Sequence, residues 1–284
     1  MKKPLKITLI CILIFVLLAG ATLAFMYLLR PKGQRREEID VTPNENAYIS
    51  DNTKNIADCT PAESLFILAN NLKKLNFYSS VISGEVDAGG IYKQNVGGEK
   101  YRSGESFLYV SRSTSFLKKT ANQIFIENDT VLVREGDANT DVYEDAVAKY
   151  TIAEYLKEYG TDFRELSNYE LNESTITSAE LVSETDGIYT YRYGINVETA
   201  VDAYRVNMYK MGGLNELPTF SKSTLEVSMT EDFMPVSVKQ IDEYTVNMFL
   251  PLNCRSTLVE RFEKLNDGSV VIPEYEFFAE KLIG

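Results

Sequence analysis

Three short stretches hold the residue types that chemistry needs. Ser115-Phe-Leu-Lys118 has the S-x-x-K spacing, Ser50-Asp51-Asn52 reads S-D-N, and Lys119-Thr120-Ala121 comes near K-T-G. On a helix, a serine and a lysine three residues apart share one face, where the lysine can activate the hydroxyl for acyl transfer. The order here is wrong for that chemistry, since S-D-N comes first and K-T-A overlaps S-x-x-K. The stretch around Ser115 also reads as a strand, which would turn Ser115 and Lys118 to opposite faces. Asp137, Asn139 and Asp141 alternate as the first ligands of a calcium loop do. The glycine and the bidentate glutamate that such a loop needs are replaced by Val142 and Ala148. An acidic solvated loop is the simpler reading. The chain has no histidine, so Ser–His, Cys–His and His–metal sites are excluded. No catalytic residue and no cofactor is expected.

The three cysteines are Cys11, Cys59 and Cys254. Cys59 and Cys254 form an even pair outside the apolar N-terminal run, and a disulfide between them would suit an oxidising exterior. Buried free thiols are the plainer alternative. A third candidate is aromatic. "SAELVSET-DG-IYTYRYGI" signals a hairpin turning at Asp186-Gly187, and it puts Tyr189, Tyr191 and Tyr193 on one strand face. Such a stripe packs a sheet face or lines an apolar cleft.

Location is more legible than activity. Ile7 to Leu29 is an uncharged apolar run of 23 residues, about 34 Å long as a helix and enough for a ~30 Å hydrocarbon core. Leu18-Ala19-Gly20 resembles the end of a lipoprotein signal, but Ala21 stands where the lipidated cysteine would be, and the run continues past it. A retained transmembrane signal-anchor is expected, with a cleaved signal as the alternative. Basic residues flank the run on both sides, so charge does not orient it. Its place near the N-terminus and the cysteine pair favour a cell-membrane, single-pass protein with its bulk outside. The expected layout is a cytoplasmic N-terminus (1–6), a span (7–29), a polar juxtamembrane linker (30–58) and an extracytoplasmic domain (59–284).

From Glu37 onward there are 41 acidic and 22 basic side chains, a net of −19. Such a surface is repelled by nucleic acid and by anionic headgroups. Thr60-Pro61-x-Glu63 predicts a capped helix over 61–75, and Thr151 with Glu154 repeats the device ahead of Gly160. A third helix is expected from about Val197 to Met211. Between them lie about nine alternating segments with turn residues at Gly89-Gly90, Gly97-Gly98 and Asn128-Asp129, an antiparallel meander. "TLVERFEKL" and "SVVI" read as possible edge strands. The fold class is α+β: a large curved antiparallel sheet, a half-barrel, with about three helices packed on one face.

The capped helix leading into "VISGEVDAGGIYKQNVGGEKYRSGESFLYV", and the late "STLEVSMTEDFMPVSVKQIDEYTVNMFL", resemble the LolA/LppX-like lipoprotein-carrier domains over roughly residues 60–265. The resemblance implies a half-barrel whose concave face is lined or plugged by helices and shelters acyl chains. In a GerS-type branch of sporulating Gram-positive bacteria, it implies binding to a cell-wall amidase. It lies in the strand pattern and carries no ligand residue across. The functional expectation is a non-enzymatic, membrane-tethered envelope domain that binds an apolar ligand or a partner protein. The alternatives are a sporulation or germination factor activating a cell-wall hydrolase, and a cell-wall-acting enzyme.

Overall fold

The computed structural model describes residues 34, 36, 44–50, 53–90, 92–115, 119–247 and 251–283. The apolar run 7–29 lies outside them. Among the described residues no helix is long and apolar enough to cross a membrane.

Among the described residues the first α-helix is α1 (Pro61–Lys74), whose start is the expected capping box: the Thr60 hydroxyl accepts from Glu63 N, and the Glu63 carboxylate accepts from Thr60 N. Seven strands follow: β1 (Phe77–Ala88), β2 (Tyr92–Ser103), β3 (Ser106–Thr114), β4 (Lys119–Glu127), β5 (Thr130–Asp137), β6 (Val142–Tyr143) and β7 (Ala148–Thr151). Next comes α2 (Ile152–Tyr159), again with a capping box, from Thr151 and Glu154. An irregular stretch, 160–175, leads to β8 (Ile176–Thr185) and β9 (Ile188–Ile195). The remaining elements are α3 (Asp202–Gly212), β10 (Thr219–Thr230), β11 (Pro235–Asn247), β12 (Pro251–Leu265) and α4 (Tyr275–Ile283).

The twelve strands of the described residues join one antiparallel sheet in the order β6-β5-β4-β3-β2-β1-β12-β11-β10-β9-β8, with β7 also pairing β5. The first strand therefore lies beside the last, in the middle. The expected meander is present with twelve strands in place of nine. "TLVERFEKL" belongs to β12, which is central and not an edge: Val259 and Arg261 pair β1 on one side and β11 on the other. "SVVI" is not a strand but a turn that leads to α4.

Curvature follows from what the helices span. Tyr155 and Tyr159 of α2 meet Tyr150 on β7. Tyr204 of α3 meets Phe220 on β10, and α2 packs on α3. On a flat sheet β5 and β10 would lie about 34 Å apart at ~4.8 Å per strand. Two adjacent helices with axes about 10 Å apart bridge that span only if the sheet curls around them.

Helices α1, α2 and α3 share the concave face with inward residues of both halves of the sheet. The expectation of helices on one face holds for these three. The fourth, α4, lies on the opposite face of β3–β5, where Phe278 stacks on Phe125 at 4.7 Å and an interplanar angle of 3°. Together with Leu108, Val110, Leu132 and Ile272 they form a separate small core. Leu65, Ile67 and Leu68 of α1 are fully buried on different sides of the helix. The reason is a third layer: Ile49 N donates to Phe66 O, and Ala47 N to Leu171 O. Residues 46–49, read from sequence as part of a free linker, are thus docked on the domain. Burying the three side chains contributes about 5–9 kcal/mol before chain entropy is counted.

Candidate functional site

The inward residues of β9–β12 form the floor of the concave face. Register places Tyr193 beside Leu225, Leu225 beside Gln240, and Gln240 beside Leu258. Tyr191 and Tyr193 are buried, at 5% and 0% exposure, and Tyr189 is half-buried. The Tyr193 hydroxyl donates to Pro61 O at 2.8 Å, at the start of α1. The expected tyrosine stripe is therefore real, but Tyr191 and Tyr193 are occupied as core under the chain's own helix.

Polar groups lie within this floor where alternation calls for apolar ones. Asp242 on β11 is fully buried. Its Oδ1 accepts from the Tyr169 hydroxyl at 2.5 Å and the Ser223 hydroxyl at 2.6 Å; its Oδ2 accepts from Gln240 Nε2 at 2.9 Å and the Ser256 hydroxyl at 3.3 Å. Burial raises this carboxyl above the usual carboxylate range, while the four donors pull the other way. Tyr169 belongs to the stretch 160–175, so the cluster ties that stretch to the sheet. Further along, Lys100 Nζ on β2 meets Glu260 on β12 at 2.8 Å, and Ser80 on β1 donates to the same carboxylate at 2.6 Å. Sequence reasoning missed both clusters. The available signal was Gln240 and Asp242 at inward positions of "VKQIDEYTV".

The stretch 160–175 is irregular yet packed. Phe163 lies against Tyr109 with centroids 4.3 Å apart, and Leu166, Tyr169 and Leu171 are buried. Its outer side is held by Glu165, which accepts from the Tyr48 hydroxyl at 2.6 Å. Gly160, at φ +82°, lets α2 stop against α3: a Cβ there would lie 2.2 Å from Ala203 O.

Towards the far end of the floor the cover thins. Ile82, Gly84 and Val86 of β1, Val96 of β2, and Leu252 and Leu258 of β12 are half-buried on the concave side. Gly84 is required there, because a Cβ would lie 2.6 Å from Leu258 Cδ2 and 2.3 Å from Thr257 O. At the opposite end, a cavity of about 380 Å³ lies between α1 and the β10–β11 turn. Its walls are mixed, with Lys54, Lys74, Asn71, Glu231 and Asp232 beside Leu75, Phe233 and Met234. Phe233 in that turn has φ +54°, a conformation held by its N–H on Thr230 O and by Asn71 on its carbonyl.

The remaining sequence candidates do not converge. Ser115 follows the end of β3 and is not on a strand; it lies in the β3–β4 connection, and Lys118 lies outside the described residues. The strand reading fails for Ser115, which lies just past the end of β3 at Thr114. The oxygens of the calcium-like loop face protein donors. Asp137 accepts from Asn139 N and Thr140 N, Asn139 from Lys119, and Asp141 from Arg112. They close the β5–β6 turn. Among the described residues no group of three or more His, Cys, Asp or Glu is placed to hold a metal.

No disulfide joins Cys59 to Cys254. Cys59 lies two residues before Pro61, whose carbonyl meets Tyr193 on β9. Cys254 lies on β12, three strands away. It is also four residues along from Leu258, the residue in register with Tyr193. Those steps amount to about 13–14 Å in each direction, whereas a disulfide needs Cα atoms within ~7 Å. Burial raises the Cys254 thiol to about 11.

No protein-family model matches the chain, and no curated protein matches it. Among solved structures, a LolA superfamily protein from Nitrosomonas europaea aligns over 77% of this chain and 98% of its own, with 11% identity and a TM-score of 0.29. A de novo designed transmembrane β-barrel aligns over 66% and 95%, with 8% identity and a TM-score of 0.20. MucB, in complex with MucA(peri), aligns over 72% and 94%, with 7% identity and a TM-score of 0.12. The first belongs to the superfamily that the strand pattern resembles. At these TM-scores the likenesses assign neither family nor function. The architecture rests on the strand pairing itself.

Proposed function

We propose that this chain is a non-catalytic, membrane-tethered binding domain of the bacterial cell envelope, and that a protein partner is its main ligand. In this reading residues 7–29 anchor it in the cell membrane and the sheet lies outside. One observation carries the preference for a protein over a lipid: most of the curved face is filled by α1–α3 and the stretch 160–175. A carrier needs room for an acyl chain, and Tyr191 and Tyr193 are instead sealed under α1. Absence of histidine from the whole sequence supports the non-catalytic part.

A second reading keeps an apolar ligand, and the half-buried strip of Ile82, Val86, Val96, Leu252 and Leu258 favours it. Two measurements separate the readings. A photo-crosslinking residue at Val96 is introduced in cells, and the purified full-length chain is extracted for lipid mass spectrometry. Partner binding predicts a discrete protein adduct and no lipid retained at one per chain. A stoichiometric lipid with no protein adduct would replace the first reading by the second.

A further inference from the structure

The polar stretch that follows the apolar run is fastened to the domain almost at once. Gln34 O accepts from Leu217 N at 2.9 Å, and Gln34 Oε1 accepts from Arg205 Nη2 at 2.9 Å. Arg36 donates to Lys157 O. These contacts reach the residue two before β10, then α3 and α2. Gln34 lies five residues past Leu29, where the apolar run ends. Five residues span at most about 18 Å, and the headgroup layer takes up about 5–8 Å of that. A free linker over residues 30–58 could reach about 100 Å and would set no orientation.

Leu217 marks one end of the sheet. Thr219 opens β10 and is in register with Thr245 of β11, and Thr245 with Asn253 of β12. Asn253 O accepts from Gly89 N in the β1–β2 turn. Val86 and Leu252 lie at this same end, where the cover of the concave floor thins.

We propose that the α3–β10 corner, residues 209–217, is the face this domain turns to the membrane, resting on the phospholipid headgroups while β10 runs away from them. This rests on the membrane-tethered part of the reading above and adds which surface meets the lipid. The short reach from Leu29 to Gln34 selects the occupant. The chemistry of the corner agrees with it. Tyr209, Met211 and Leu214 are half-buried there, and Lys157 and Lys210 are exposed. Tyrosine and lysine suit the boundary between headgroups and acyl chains, because each joins an apolar body to a polar tip. The acids nearby are engaged: Glu158 pairs Lys210, Asp202 pairs Arg205, and Glu216 accepts from Asn247 Nδ2. An acidic domain thus presents a neutralised corner where its chain arrives from the bilayer. The half-buried strip of Ile82, Val86, Val96, Leu252 and Leu258 then opens at the bilayer end, so a partner that reaches it works close to the membrane surface.

The test is fluorescence quenching on the full-length chain in phosphatidylcholine vesicles that contain a lipid with a nitroxide on its headgroup. A fluorescent residue is placed at Asn215, in the corner, or at Asp232, past the other end of β10. Both positions are exposed, so the label leaves the fold intact. β10 has twelve residues, which sets the two labels about 40 Å apart. The expected result is loss of most of the emission at Asn215, with emission at Asp232 unchanged. No loss at Asn215, equal loss at both positions, or greater loss at Asp232 would each overturn the proposal. Flotation of the same vesicles separates this failure from that of the reading beneath it. A chain that floats with the lipid yet keeps its emission at Asn215 loses the orientation alone. A chain that does not float loses the tether and the orientation together.

Discussion

Asp242→Ala removes an acceptor that four buried donors share. Two of them, the Ser223 and Ser256 hydroxyls, can rotate towards other acceptors. The Tyr169 hydroxyl at 2.5 Å and Gln240 Nε2 at 2.9 Å are fixed by their packing and lose their partner. Orphaned buried donors cost about 1–3 kcal/mol each, and loss of the buried acid's own desolvation penalty offsets part of this. The net expectation is about 2–4 kcal/mol of lost stability. Asp242→Asn keeps one acceptor for Tyr169 and Ser223, and a turned Gln240 amide can face its NH₂, so its cost should be about 1 kcal/mol or less. The two variants also separate in pH. Because burial raises this carboxyl in the folded chain, the folded state holds its proton to higher pH than the unfolded state does. Stability from this group is therefore full below the unfolded value of ~3.9 and falls as pH rises to the raised folded value. Parent minus Asp242→Asn should show that fall. Urea unfolding at several pH values measures both effects, with tyrosine emission as the probe, since the chain has 18 Tyr and no Trp. Asp242→Ala within about 0.5 kcal/mol of the parent, or a flat difference curve, would refute the reasoning.

Lys100→Met leaves Glu260 buried with only Ser80 as a donor and should cost about 3–5 kcal/mol in the same assay. Lys100→Met/Glu260→Leu should recover most of it, because no buried charge then remains unpaired. Two thiols, Cys59 and Cys254, should label in the denatured, unreduced chain in addition to Cys11. In the native chain at pH 8 Cys254 should label far more slowly than Cys59, since its thiol is raised to about 11; equal native rates would count against its burial.

The parts of the fold legible in the sequence are those written in local chemistry. Thr60 with Glu63 and Thr151 with Glu154 mark both helix starts because each capping box is complete within four residues. Asp186 at φ +51° and Gly187 at +74° form the expected hairpin turn. The third helix starts later than its pattern suggests. The Asn196 side chain accepts from Glu198 N, and its carbonyl accepts from Ala200 N, which holds 196–200 in a turn until Asp202. β12 was hard to place because Glu260 interrupts its inward alternation, and the lysine that makes this tolerable lies 160 residues away. The short helix α4 is seen as a helix only when Phe125 is there to receive Phe278. The candidate site failed for a related reason: a stripe of tyrosines looks the same whether a ligand or the chain's own helix covers it.

The neighbouring of β1 and β12 has a consequence for how the chain comes into being. Strands β1–β7 pair within one stretch of sequence, and β8–β12 within another, so each half can form from local hairpins. The seam between them joins Tyr78 to Leu265 and Ala88 to Cys254, contacts that close very long loops. During synthesis from the N-terminus, β1 emerges early with β2 on one side and nothing on the other. Its open side waits until nearly the whole chain has been made. A nascent molecule halted before residue 251 would present a twelve-residue unpaired edge at the centre of the future sheet. Truncation late in the gene should therefore yield aggregation, not a smaller folded protein.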